Sequence, residues 1–325
     1  MSARELKRSS GILLPLFALP SKYGIGSLGA EARAFIDFLS EARQSWWQLL
    51  PLGCTSCGDS PYQCLSTFAG NSYYIDLEEL VSEGLLKEAE CPALFWGAEE
   101  LRVDYGALYK NRPIILRKAF ERARGRYSRE LKRFREENAF WLEDFALYMA
   151  LKRLFSMRAF GEWPRALRQR KPWALKLARA ALKDDIEYHI FVQYLFFRQW
   201  AELKAYARER GVGLIGDLPI YVAMDSSEVW ASPQYFVLDE KGLASEVAGV
   251  PPDYFSAEGQ LWGNPLYNWE KLKAEGYGWW KRRTEAAAGL FDGVRIDHFR
   301  GFESYWAVPA GEENAKKGRW LKGPG

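Results

Sequence analysis

Arg295 and Asp297 stand two apart in the run DGVRIDHFRGF, and a guanidinium at that spacing can hold a carboxylate as the anion that a nucleophile has to be. Val294 and Ile296 alternate with them, which reads as a short strand with one apolar and one charged face. A structural ion pair at a strand end would carry the same pattern. A second carboxylate, Asp217, closes the apolar stretch VGLIGDLPIYVA at 212–223. Tyr62 lies between Pro61 and Gln63 in a Gly-, Ser- and aromatic-rich loop, as a site phenol or a core tyrosine would. Metal chemistry is poorly served. Cys54 and Cys57 make a lone C-x-x-C, Cys64 and Cys91 do not complete a second pair, and the two histidines, His189 and His298, are distant in sequence. No metal or cofactor is expected.

These groups need elements to hold them. An amphipathic helix is expected over 31–43, followed by a buried strand over 46–53 and a strand-like run over 73–77. Residues 12–29 read as loop. A long helix over 185–210 ends at Gly211, a residue suited to the turn that stops a helix, and leads into the strand that delivers Asp217. Another helix over 277–290 precedes DGVRID. Helix, short turn, buried strand and carboxylate, repeated, is the pattern of an α/β sheet with its site at the carboxyl ends of the strands. Between 84 and 184 the texture is helical, with Leu131, Phe134, Trp141, Phe145 and Tyr148 on one face. The stretch 226–269 shows little periodicity and many aromatics, as binding loops and lids do.

Composition bounds the rest. At 325 residues and 48% hydrophobic content the chain can bury a large core. Its 14 Trp, 17 Tyr and 19 Phe are an unusual content, and many of them fall in Pro/Gly-rich loops, where flat rings suit sugar faces. A net charge of +3 points to no nucleic-acid partner, and the basic cluster Arg165, Arg168, Arg170, Lys171, Lys176, Arg179 and Lys183 reads as a solvated face. Arg4, Lys7 and Arg8 precede an apolar run in the manner of a secretory leader, but Pro15 and Pro20 interrupt it and no small-residue cleavage pattern follows. A cytoplasmic protein without a membrane span is expected.

Five stretches in order resemble the amylomaltase family, also called 4-α-glucanotransferases or disproportionating enzymes: SGILLPLFALPSKYGIGSLG, GDSPYQCLSTFAGN, GDLPIYVAMDSSEVW, VPPDYFSAEGQLWGNPLY and DGVRIDHFRGFESYW. The resemblance implies an α/β fold, a (β/α)8 TIM barrel with inserted helical and loop subdomains. Its barrel parts would occupy 1–83 and 185–325, its helical insertion 84–184, and its aromatic lid 247–269. It further implies transfer of α-1,4-glucan segments (maltodextrins, or chains derived from starch or glycogen) to another glucan or to glucose, with retention. Matched to the family's motifs, Asp297 is the nucleophile, Arg295 its partner on the same strand and Asp217 a further site carboxylate. Ser60, Tyr62, Asp253, Tyr254, Phe255, Trp262, Asn264 and His298 fall where the family binds sugar. Cys54 and Cys57 depart from the family pattern within a glucan-binding loop.

Retaining chemistry needs a second carboxyl roughly 5–5.5 Å from the nucleophile. In the family it is a Glu on the strand after the nucleophile's, and no apolar strand carrying a Glu follows Asp297 here. Four barrel strands are legible where closure takes eight. The chain as given is therefore expected to be a barrel truncated after about its fourth strand, and inactive alone. A non-catalytic glucan-binding fragment and an α-amylase-type hydrolase are the rival readings.

Overall fold

The computed structural model describes residues 8–56, 58–99 and 101–325, so Arg4, Lys7 and Cys57 lie outside it. Its strands are, in chain order, β1 (Gly11–Leu13), β2 (Trp46–Gln48), β3 (Gly213–Pro219), β4 (Glu246–Val250), β5 (Gln260–Pro265), β6 (Gly293–Asp297), β7 (Ser304–Pro309) and β8 (Arg319–Lys322). They form two sheets. In the order β1-β2-β3-β6 the first is wholly parallel, and the second, β5-β4-β7-β8, is antiparallel. The parallel sheet is open among the described residues, with β1 and β6 at its edges.

Parallel neighbours require long crossovers, and here helices supply them. The helix α1 (Ala30–Glu41) joins β1 to β2, burying Ala32, Ile36 and Leu39 against the sheet. Between β2 and β3 come α2 (Leu77–Ser82), α3 (Tyr105–Arg122), α4 (Ser128–Glu137), α5 (Leu142–Leu154), α6 (Arg165–Arg168), α7 (Pro172–Ala181) and the 27-residue α8 (Lys183–Glu209). Between β3 and β6 come α9 (Ser227–Ala231), β4, β5, α10 (Trp269–Ala274) and α11 (Gly278–Leu290). In β3, Leu214 and Leu218 face the helices, while Gly216 leaves room for the Phe291 ring, which a Cβ there would approach to 2.2 Å. Asp217 takes the opposite face. One core packs α1, α3 and α8 on β1–β3, and a second packs α5, α9 and α11 with the aromatics of the 226–269 stretch.

Four expectations need correction. Residues 73–77 are not a strand: Ser72–Tyr74 form a 3-10 turn capped by the Asn71 side chain, and Asp76 caps α2 through the Glu79 N–H. Asp76 followed three residues later by Glu79 is a helix-start signal that outranks the aromatic run. The edge strand lies instead at Gly11–Leu13, inside what reads as loop, because three residues are too few to show a period. The 226–269 stretch is not irregular either. It contributes α9, β4 and β5, whose alternation is broken by a bulge between Val247 and Gly249. The basic cluster is also less solvated than its charge implies: Arg170 and Arg179 pair with Asp144, and the Arg170 guanidinium lies 4.2 Å over the Trp230 ring.

Along α8, two buried amides repay notice. Gln193 accepts from the Gly70 N–H and donates to the Gly70 carbonyl, at 2.8 and 2.9 Å, and Gln199 does the same for Asp76 at 2.8 and 3.2 Å. Each satisfies both backbone groups of a loop residue that no strand pairs, and so fixes the loop after β2 on the helix layer. His189, on the same helix, is a buried imidazole whose Nε2 has no partner among the described residues. Burial pushes it down to about 3, with Asp185 opposing and Arg117 and Arg153 assisting. An unfolded histidine takes up its proton near pH 6.5, while the folded one stays neutral, so this site costs stability as pH falls from about 6.5 toward 3. The expected penalty at pH 5 is about 2 kcal/mol. Urea unfolding at pH 7 and pH 5 checks it: His189→Gln is expected to flatten the loss between the two by about that amount.

Candidate active site

β3 and β6 run side by side in a register that sets Asp217 opposite Arg295 and Pro219 opposite Asp297. The three charged side chains project from one face at the carboxyl ends of the parallel strands, where α/β sheets carry their sites. Arg295 bridges them: Nη2 donates to Asp297 Oδ1 at 2.6 Å and Nη1 to Asp217 Oδ2 at 2.7 Å. From the loop after β2, the Tyr62 hydroxyl donates to the same Asp217 oxygen at 2.8 Å. The four groups thus form one chain, Tyr62 to Asp217 to Arg295 to Asp297.

Exposure separates their roles. The Asp217 side chain is 0% exposed, whereas that of Asp297 is 36% exposed and that of Arg295 46%. Asp297 is the carboxylate a ligand can reach. Burial raises the Asp217 carboxyl above the usual range, opposed by the Tyr62 hydrogen bond and the Arg295 charge. Its second oxygen, Oδ1, is buried without a partner among the described residues. Burial and the neighbouring Asp217 push the Tyr62 phenol up to about 12, so it stays a donor at neutral pH. Desolvation works against the Arg295 charge, but Asp217 and Asp297 outweigh it and raise the guanidinium further.

A second group stands on the antiparallel sheet and the turn after β6. His298, in a left-handed conformation with φ 54°, meets the Trp262 ring edge-on at a centroid separation of 4.8 Å. Burial lowers its imidazole, with the Asp297 charge opposing. Gln63 Nε2 donates to the Trp262 carbonyl and to Asn264 Oδ1, both at 3.2 Å, and Asn264 Nδ2 donates to the Val222 carbonyl at 2.8 Å. Gln63 therefore ties the Tyr62 loop to β5. It was not singled out in the sequence, although its place beside Tyr62 was the available signal. Ser60 Oγ accepts from the Tyr62 N–H at 3.3 Å, shaping the turn that aims the phenol.

The tip between β4 and β5 stands apart. Asp253 Oδ1 accepts from the N–H groups of Phe255 and Ser256, forming a side-chain turn, and Tyr254 and Phe255 pack on each other, edge to face. At 97% and 91% exposure, they are large aromatics held in water. Such rings offer stacking surface. Behind Tyr62 and Asp217 a cleft of about 770 Å³ runs between α8 and α11, lined among others by Phe68, Trp141, Trp200 and Arg283. Of the C-x-x-C pair only Cys54 is described. Its thiol donates to the Gly70 carbonyl at 2.9 Å, and burial pushes it up to about 12.

Comparison with known proteins is consistent from end to end. The model of a family described as 4-alpha-glucanotransferase matches residues 14–325. The 4-alpha-glucanotransferase of Thermus thermophilus is 51% identical over 99% of this chain and 64% of its own length. That of Streptococcus pneumoniae serotype 4 is 49% identical over 98% of this chain and 64% of its own. Among solved structures, the amylomaltase from Streptococcus agalactiae in complex with acarbose superposes with a TM-score of 0.96 at 43% identity, covering 98% of this chain and 65% of that one. The chain thus spans about 64% of the length of the curated relatives it matches.

Proposed function

The chain belongs to the 4-alpha-glucanotransferase family, and on that premise we propose that it carries the nucleophile half of a site that transfers α-1,4-glucan segments to a second glucan or to glucose. The observation that carries this is the hydrogen-bonded chain Tyr62–Asp217–Arg295–Asp297, with Asp297 its accessible end. We read the four parallel strands as part of a (β/α)8 barrel: consecutive, parallel, covered by helices, with the charged groups at the carboxyl ends. In that reading 1–83 and 185–325 are barrel, 84–184 is an insertion and 247–269 is a lid. Work in the cytoplasm is supported by the unbridged thiols of Cys54, Cys64 and Cys91, although no described helix is long and apolar enough to cross a membrane in any case.

In the proposed chemistry an Asp297 oxygen attacks the anomeric carbon, the bond to the leaving glucan oxygen breaks, and a glycosyl ester forms on Asp297. An acceptor hydroxyl then attacks the same carbon from the opposite side and frees the carboxylate. Two inversions give retention. Arg295 holds the attacking carboxylate at a fixed angle, and buried Asp217 with Tyr62 fixes Arg295 in turn. Trp262, His298, Asn264 and Ser60 would line the sugar path, while Asp253 holds Tyr254 and Phe255 where they can stack on an acceptor ring and exclude water. The leaving oxygen requires a proton from a second carboxyl. Asp217 is unsuited to supply it, because it is buried and its Oδ2 is occupied by Tyr62 and Arg295.

A polypeptide of these 325 residues is accordingly expected to bind maltoheptaose in a calorimetric titration, to ignore an α-1,6-linked glucan of equal length, and to leave maltotriose unconverted. Equal binding of both sugars, or none of either, would sink the glucan reading. Longer and shorter maltodextrins appearing from maltotriose would show that the described residues do supply the acid.

A further inference from the structure

Arg283, on α11, is 2% exposed and lies in no ion pair with a carboxylate among the described residues, so an unusual set of neutral acceptors must hold its charge. Nε donates to Thr67 Oγ1 at 2.8 Å, Nη1 to the Ile220 carbonyl at 2.7 Å and to the Tyr267 hydroxyl at 3.0 Å, and Nη2 to the Pro219 carbonyl. Glu228, on α9, is 5% exposed and likewise without a cation in contact. Its Oε1 accepts from Ser66 Oγ at 2.6 Å and Ser227 Oγ at 3.0 Å. Ser66 Oγ also accepts from the N–H groups of Phe68 and Ala69. Two ionisable side chains, both removed from water, therefore grip adjacent residues of one loop. Burying an arginine is expensive where a hydrophobic residue could fill the space, so its contacts ask for a purpose.

The contacts supply one. Pro219 and Ile220 directly extend the strand end that carries Asp217, and Thr67 belongs to the loop that carries Tyr62. A single guanidinium thus holds both partners of the Tyr62–Asp217 hydrogen bond, each a few residues away along its own backbone. We propose that Arg283, beside the Ser66 that Glu228 holds, is a positioning residue of the glucan site that sets the distance between Tyr62 and Asp217. Neither residue needs to touch the sugar. The proposal rests on the glucan reading of the site, and its test separates the two.

Maltoheptaose affinity of the 325-residue chain and amide hydrogen exchange over 62–70 are measured together. Arg283→Lys, which keeps the charge but not the fork, is expected to weaken binding about tenfold and to speed exchange at 66–70. Thr67→Val, which removes one contact and keeps the shape, is expected to do the same more mildly, and it guards against an Arg283 variant that fails to fold. In a Tyr62→Phe background the Arg283→Lys loss is expected to shrink to about twofold or less, because the contact being positioned is gone. A purely structural Arg283 would instead give additive losses. Arg283 lines the open cleft, so methylguanidinium is expected to restore binding to Arg283→Ala. Folded Arg283→Lys and Thr67→Val with unchanged affinity and unchanged exchange would overturn the proposal, as would additivity with Tyr62→Phe. If the unsubstituted chain binds no maltoheptaose, the glucan reading fails, and exchange at 66–70 alone decides whether the clamp exists.

Discussion

Asp297→Asn is expected to abolish covalent labelling of the chain by α-maltosyl fluoride, slowing it by roughly ten-thousand-fold or more. Fluoride departs without a proton, so this donor removes the need for a second carboxyl in the first step and leaves only the nucleophile's step to be tested. The unsubstituted chain should gain the mass of one maltosyl group on the peptide containing Asp297. Deglycosylation needs a base to activate the acceptor, so the adduct should accumulate instead of turning over. Asn at 297 keeps the shape and can still accept from Arg295, which retains Asp217 as its counter-charge, so the fold should survive and the loss can be assigned to the carboxylate. Labelling of an unchanged rate in Asp297→Asn, or an adduct mapped to Asp217, would overturn the assignment. Arg295→Met should slow labelling without ending it, since the carboxylate remains but nothing fixes its direction.

The residues that bear charge at the site were legible because strands have a period of two. Arg295 and Asp297 had to share a face, and a 2.6 Å contact joins them. Asp217 was legible as a carboxylate closing an apolar strand, but its partnership with Arg295 depends on the register between β3 and β6, which no local pattern encodes. The helices α1, α8 and α11 were readable to within two residues from their apolar spacing and from Gly211. The antiparallel sheet was not. β4 and β5 are glycine-interrupted, with Gly249 allowing the Gln260 carbonyl to approach to 2.5 Å of where a Cβ would be, and such strands hide among loop residues. The clamps were hidden for a different reason. Gln193, Arg283 and Glu228 sit on helical faces where a polar residue normally means solvent, and only the path of a distant loop turns those faces inward.

Lys152→Met is expected to lower stability by about 3 kcal/mol, the cost of leaving a buried ion pair with one partner. Lys152, on α5, has a side chain only 3% exposed, and its ammonium donates to Asp225 Oδ2 at 2.6 Å and to the carbonyls of Met157 and Arg158 at 2.8 and 2.9 Å. All three donors find acceptors. Asp225 follows β3 by six residues, and its Oδ1 takes the Tyr148 hydroxyl at 2.7 Å and the Phe160 N–H at 2.9 Å. The pair therefore fastens the helices between β2 and β3 to the loop that leaves Asp217. Methionine fills the volume but leaves two carbonyls and a carboxylate without their donor. Asp225 is 28% exposed and can recover part of its hydration, which keeps the expected loss at the lower end of the range for buried pairs. Urea denaturation measures it. Lys152→Met/Asp225→Asn should be less destabilised than the sum of its parts, by about 1–2 kcal/mol, because the amide still accepts from Tyr148 and Phe160 and strands no charge. A Lys152→Met variant within about 0.5 kcal/mol of the unsubstituted chain would mean that water, not the ammonium, already compensates Asp225.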